Sequence, residues 1–134
     1  MTAIVLFVCP HGAAKSVLAA AYFQARVDQL GWPYRAMSAG AEPDTALSPA
    51  VVAQLRAEGL PVPRHAPRRV GDAELAAAER VVVFGCDVRG RVRLDTPVDD
   101  WADVPALSED FETAREAIRA RVEQLVNKLA SPKD

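Results

Sequence analysis

The chain predicts a three-layer α/β domain: a four-stranded parallel sheet with helices on both faces. Three observations carry this. The apolar runs at residues 4–8 and 81–84 are continuous rather than alternating, which marks strands covered on both sides. The segments between and after them repeat apolar residues at helical spacing. Strand and helix alternate along the chain, which is the order of a parallel sheet. With 134 residues, half of them apolar, one domain over residues 1–134 with a single core is expected.

Each element has its own warrant. Residues 4–8 (Ile-Val-Leu-Phe-Val) form the first strand. Residues 17–30 place Val17, Leu18, Ala21, Tyr22, Ala25 and Leu30 near one stripe of a helix, which Gly31 and Pro33 end. A second strand at 34–38 is closed by Ala39-Gly40, and 41–44 turn the chain. Ser48 and Pro49 supply a cap and a first-position proline for a helix that runs to about Glu58 and stops at Gly59. Residues 61–70 carry Pro61, Pro63, Pro67, three arginines and His65, and read as an exposed loop. Asp72 caps a short helix through Ala78, and 81–84 form the third strand. Arg89-Gly90-Arg91 turn, a short fourth strand is placed at 94–98, and 100–107 loop around Trp101. The last helix begins near Glu109 and shows Phe111, Ala114, Ile118, Val122, Leu125 and Leu129 at helical spacing.

Composition narrows the function. A net charge of −2 gives no general attraction to nucleic acid or to an anionic membrane. No apolar stretch approaches the roughly 20 residues that span a bilayer. Met1-Thr2-Ala3 leads into a strand without a basic segment, so no signal peptide is read. Cys9 and Cys86 do not make a disulfide framework, and a reducing cytoplasm is the expected home. Two histidines and two cysteines at these positions match no zinc spacing, and neither metal nor cofactor is expected.

The chemistry concentrates in residues 9–16, Cys-Pro-His-Gly-Ala-Ala-Lys-Ser. A strand that feeds a tight loop of small residues and then a helix N-terminus is an anion cradle, because successive amides point inward and the helix dipole adds positive potential. A thiol there tends to the thiolate, the nucleophilic form. Cys9 is therefore the candidate nucleophile, and the loop from His11 through Gly12, Ala13, Ala14, Lys15 and Ser16 the candidate oxyanion site. Glycine at 12 takes the positive φ such a turn needs. Lys15 supplies a point charge where an arginine would grip two oxygens at once. Ser16 can cap the helix or donate to Cys9. Pro10 removes one amide donor, which the His11 side chain could replace in part. In a parallel sheet ligands bind beyond the carboxyl ends of the strands, where Cys9, Ser38 and Gly85-Cys86 all fall. Cys86 is a candidate second redox thiol, weighed against a plain half-buried small residue. Asp99, Asp100 and Asp103 around Trp101 are candidate general acids, weighed against solvated loop carboxylates. Arg89, Arg91 and Arg93 fit either the docking of an acidic substrate or a merely solvated basic loop.

Together these residues resemble the low-molecular-weight protein tyrosine phosphatases and their thioredoxin- or thiol-coupled arsenate reductase relatives. The family motif is a cysteine, five residues, an arginine and a serine or threonine directly after the first strand. Residues 9–16 follow it with Lys15 in place of the arginine. Ser38-Ala39-Gly40, the segment 81–87 and Trp101-Ala102-Asp103-Val104-Pro105 resemble further family segments, so the likeness spans the chain. The departures are specific. Gly12 stands where an asparagine is usual, and the Asp-Pro general acid falls at about Ala106-Leu107. Asp103 is the nearest carboxylate to that vacancy and the expected substitute. Thioredoxin-type reductases carry two further cysteines after the third strand, whereas only Cys86 is here; a thiol-coupled reductase needs one protein cysteine.

The resemblance implies a cysteine-dependent phosphatase acting on phosphotyrosine or a small phosphomonoester. Catalysis would rest on Cys9, Lys15, Ser16 and Asp103. A thiol-coupled arsenate reductase is the alternative, and a catalytically impaired oxyanion-binding protein the second alternative. The expected partners are phosphate, sulfate or arsenate, with a phosphoprotein or a low-molecular-weight thiol as further candidates.

Overall fold

A computed structural model describes residues 2–130. Along the chain run β1 (Ala3–Cys9), α1 (Lys15–Leu30), β2 (Tyr34–Gly40), α2 (Pro49–Ala57), α3 (Asp72–Ala77), β3 (Arg80–Val83), β4 (Val98–Asp100) and α4 (Phe111–Ala130). The strands form one sheet in the order β2-β1-β3-β4, and every pairing is parallel.

The unbroken apolar run of β1 is explained by its central place. Alternate side chains enter two cores: Val5, Phe7 and Cys9 face the layer of α1, α2 and α4, while Leu6 and Val8 face Leu75 of α3 with Val81 and Val83. Helices thus cover both faces, as the sequence predicts. Trp101 is buried on the first face, 6.0 Å from the Phe7 ring and 5.6 Å from that of Phe84. It anchors the segment after β4 beneath the carboxyl ends of β1 and β3.

Four boundaries differ from expectation. The fourth strand lies at Val98–Asp100, not at 94–98. Residues 93–96 turn instead, with Thr96 N–H donating to the Arg93 carbonyl, and Leu94 is fully exposed. Pairing begins where the Pro97 carbonyl accepts from Val81, and Arg80 locks it by donating to Asp99 Oδ2 at 2.7 Å. Asp99 and Asp100 therefore sit in a strand rather than a loop. The cap of α3 is Gly71, whose N–H donates to Glu74 Oε1, while Asp72 pairs with Arg91. α1 starts two residues early, at Lys15. α4 starts at Phe111, two residues late, after Asp110 has accepted from the Thr113 amide and hydroxyl.

Among the described residues, no helix is long and apolar enough to cross a membrane.

Candidate active site

Cys9 closes β1 and is almost fully buried, with its sulfur at the base of the loop that follows. The Cys9 thiol donates to Ser16 Oγ at 3.0 Å, and the Gly12 N–H donates to Cys9 Sγ at 3.2 Å. When the sulfur is a thiolate the Ser16 hydroxyl can turn and donate to it, beside the Gly12 amide. Ser16 lies inside α1 and is fully buried; the N-cap is Ala14, with no side-chain cap. Ser16 therefore serves the sulfur rather than the helix end.

The loop is held open from outside. The carbonyls of Cys9, Pro10, His11 and Ala13 accept from the amides of Ala41, Glu42, Asp44 and Ser48, at 2.8 to 3.1 Å. With the carbonyls drawn outward, the amides are left over. Among the described residues, those of His11 and of Ala13, Ala14, Lys15 and Ser16 donate to no backbone carbonyl. These are the orphan donors of a helix N-terminus joined to a turn, a cradle for a tetrahedral anion. Gly12 has φ +63°, and a Cβ there would lie 2.7 Å from the Gly40 nitrogen. A Cβ on Gly40 would in turn meet Gly12 N at 2.6 Å. The loop thus rests backbone on backbone against the end of β2, and both partners are glycine for that reason.

Lys15 spans the site. Its Nζ donates to the Val104 carbonyl at 3.1 Å and lies 5.8 Å from the Phe84 ring centre. One cation thereby ties the cysteine loop to the segment after Trp101. A cleft of about 910 Å³ opens over the loop. One wall is the segment around Pro43, Leu47 and Pro49, and the other is formed by Ala106, Leu107 and Phe111.

The sequence-derived candidates divide. Cys9, His11, Ala13, Ala14 and Lys15 line this cleft, and Gly12 and Ser16 bond the sulfur beneath it. Asp103 is not among the cleft-lining residues; its carboxylate accepts from Arg121 of α4. Asp99 is held by Arg80, and Asp100 accepts from the Gly85 amide at 3.0 Å. Arg89, Arg91 and Arg93 are paired with Asp87, Asp72 and Asp95 and stand away from the cleft. Cys86 is half-buried. Burial pushes its thiol above the ordinary range, and the neighbouring Cys9 adds to that, with Asp100 contributing less; the Phe84 amide and Lys15 oppose. Sequence reasoning missed the 41–48 segment, which it read as a turn and a cap. That segment holds the loop carbonyls and brings Asp44 to the cleft, 3.8 Å from His11 Nδ1. The Ser-Ala-Gly triplet ahead of it was the available signal.

Comparison with known proteins agrees with the fold. The family described as low molecular weight phosphotyrosine protein phosphatase matches residues 4–99. No curated protein sequence matches the chain. Among solved structures, YfkJ from Bacillus subtilis superposes with a TM-score of 0.83 at 20% identity, over 96% of this chain and 95% of that one. A thioredoxin-dependent arsenate reductase from Corynebacterium glutamicum gives a TM-score of 0.80 at 24% identity over 95% of this chain. The match covers 61% of that reductase's own length. An arsenate reductase from Archaeoglobus fulgidus is 30% identical, with a TM-score of 0.68, over 92% of this chain and 98% of that one.

Proposed function

Because this chain belongs to the low molecular weight phosphotyrosine protein phosphatase family, we propose that it is a cysteine-dependent phosphatase of organic phosphomonoesters, aryl phosphates such as phosphotyrosine included. One observation carries the choice within the family: the anion cradle opens into a cleft of about 910 Å³ walled by Pro43, Leu47, Pro49, Leu107 and Phe111. A bare tetrahedral oxyanion fills a small fraction of that space. An organic leaving group uses the rest and buries apolar surface there.

In this reading the Cys9 thiolate attacks phosphorus in line with the ester oxygen. The S–P bond forms, the P–O bond to the alcohol breaks, and the leaving oxygen takes up a proton. Water then attacks the phosphocysteine, releasing inorganic phosphate and the thiolate. The free amides of the loop hold the equatorial oxygens, and Ser16 steadies the sulfur as the leaving group of the second step. Lys15 contributes charge without a bidentate grip. Losing one such oxyanion contact commonly costs about 100- to 1,000-fold in turnover, so slow catalysis is expected.

A second reading has its own support. Cys9 ends β1 and Cys86 follows β3, its parallel neighbour, and the Cys9 charge helps to push the Cys86 thiol up. Arsenate reduction would use that arrangement. The Cys9 thiolate forms an S–As bond as an As–O bond breaks and the oxygen leaves as water; Cys86 or a low-molecular-weight thiol then attacks the Cys9 sulfur, the S–As bond breaks with its electron pair left on arsenic, and a disulfide forms as arsenite leaves.

Turnover of 4-nitrophenyl phosphate set beside arsenate reduction with added thiols separates the two. Ester hydrolysis abolished by Cys9→Ser supports the phosphatase, and arsenate turnover alone the reductase. With neither, the cradle is an oxyanion-binding site, and inorganic phosphate should still bind more weakly to Lys15→Ala than to the wild type. Unchanged affinity in Lys15→Ala would make that lysine a bystander.

A further inference from the structure

A phosphatase must protonate the oxygen it expels, and the wall where the family keeps its acid, formed here by Ala106, Leu107, Ser108 and Phe111, brings no titratable group to the cleft. Four titratable side chains do line it: Cys9, His11, Lys15 and Asp44. Cys9 is the nucleophile. Lys15 is committed to the Val104 carbonyl and serves as a fixed charge. The remaining two are neighbours on the opposite wall. His11 Nδ1 faces the Glu42 carbonyl at 3.2 Å and Asp44 Oδ1 at 3.8 Å. A carbonyl only accepts, so Nδ1 carries a hydrogen. Nε2 makes no hydrogen bond among the described residues.

On the phosphatase reading, we infer that His11 is the proton donor to the leaving oxygen, with Asp44 as the carboxylate that positions it. The Glu42 carbonyl and Asp44 hold the ring by one nitrogen. Nε2–H is then free to give its proton as the P–O bond breaks. The neutral imidazole can take a proton back from the water that attacks the phosphocysteine, which restores the starting state. An imidazole exchanges its proton near neutrality, whereas an ordinary carboxyl is already ionised there. This divides the roles between the two residues. The titratable groups that share the cleft with the ring are Asp44 from the segment after β2 and Cys9 and Lys15 of the loop; Glu42 meets the ring through its backbone carbonyl.

The test is leaving-group dependence in the full chain. Wild type, His11→Gln, Asp44→Asn and Asp103→Asn are compared on 4-nitrophenyl phosphate, whose leaving group needs little help, and on benzyl phosphate, whose alkoxide needs a proton. His11→Gln should lose about 100-fold or more on benzyl phosphate, lose far less on the aryl ester, and erase the fall of kcat at high pH. Asp44→Asn should lose part of the same benzyl-selective rate, since the ring loses the carboxylate that positions it. Asp103→Asn should discriminate between the esters no more than wild type does. Equal losses of His11→Gln on both esters, a persisting high-pH limb, or a benzyl-selective defect in Asp103→Asn or in Asp44→Asn alone would each overturn the assignment. A wild type that hydrolyses neither ester sinks the phosphatase reading itself, a result distinct from these.

Discussion

Gly12→Ala tests whether the cradle depends on backbone contact between the loop and β2. Two costs add at this position. An L-residue held at φ +63° pays about 1–2 kcal/mol. The new Cβ would also lie 2.7 Å from Gly40 N and 3.0 Å from the Ala39 carbonyl carbon, and neither backbone atom can rotate away. Ordinary contact begins at 3.4 Å, so 3.4 minus 2.7 leaves about 0.7 Å for the loop or the strand end to move. Overpacking of this kind costs about 1–3 kcal/mol, for a total of about 2–5 kcal/mol. Gly59→Ala is the matched control, since Gly59 has φ +71° with nothing within 4 Å of its Cβ position and should lose only the first part. Gly12→Asn separates the two costs, because asparagine tolerates this φ but keeps the Cβ. The readouts are the urea midpoint and phosphate titration. Gly12→Ala should be the less stable of the two alanine variants and should bind phosphate far more weakly, since displacements near 1 Å in such sites can cost about 100-fold. Equal stability of Gly12→Ala and Gly59→Ala, with phosphate affinity intact, would refute the contact argument.

Two further outcomes follow from shifted titrations. Iodoacetamide at neutral pH should label Cys9 ahead of Cys86, because burial and the nearby Cys9 push the Cys86 thiol up, so that its reactivity develops only at higher pH. Phosphate should protect Cys9 alone, and matched rates at the two cysteines would contradict this. The second outcome concerns Glu58, which joins α1, α2 and α4. Burial pushes its carboxyl up, but hydrogen bonds from Tyr22, Gln54 and Arg119, with the Arg119 charge, bring the net value below the ordinary one. A depressed folded-state value stabilises above the unfolded carboxyl's titration and fades as pH falls through the folded one. Glu58→Gln should therefore cost about 1–2 kcal/mol near pH 7, and the gap to wild type should close below about pH 4. A gap of constant size across that range would show that the charge is not what stabilises.

The sheet was legible because its signals are local. A strand buried on both faces must be apolar at every position, and residues 4–8 and 81–84 are. β4 was misplaced because its pairing depends on a partner from another strand, Arg80, which bonds the Asp99 carboxylate. Arg80 fixes the register from the neighbouring strand, and Pro97 offers only a carbonyl. Nothing in residues 94–98 alone encodes either partner. The loop was legible for the opposite reason: its function sits in backbone amides, so its small residues and its place between strand and helix are nearly the whole description.

The His11–Asp44 pair was illegible because spacing along the chain does not bring the two together. Counting from Trp101 leads to Ala106, and the nearest carboxylate to that vacancy is Asp103. In the fold, the direction of Asp103 is set by Arg121, eighteen residues further on, which draws the carboxylate to α4. Asp44 reaches the cleft by a route no periodicity reports. β2 runs parallel beside β1 with Cys9 opposite Gly40, so the chain leaving β2 emerges alongside the loop leaving β1. The amides of Ala41, Glu42 and Asp44 then bond the carbonyls of Cys9, Pro10 and His11 in turn. That ladder places Asp44 beside His11, thirty-three residues apart in sequence. A parallel neighbour whose strand ends level with the strand that carries Cys9 is thus a second source of cleft-lining groups in this chain. In this chain the segment after β2 supplies a titratable pair where the facing wall carries none.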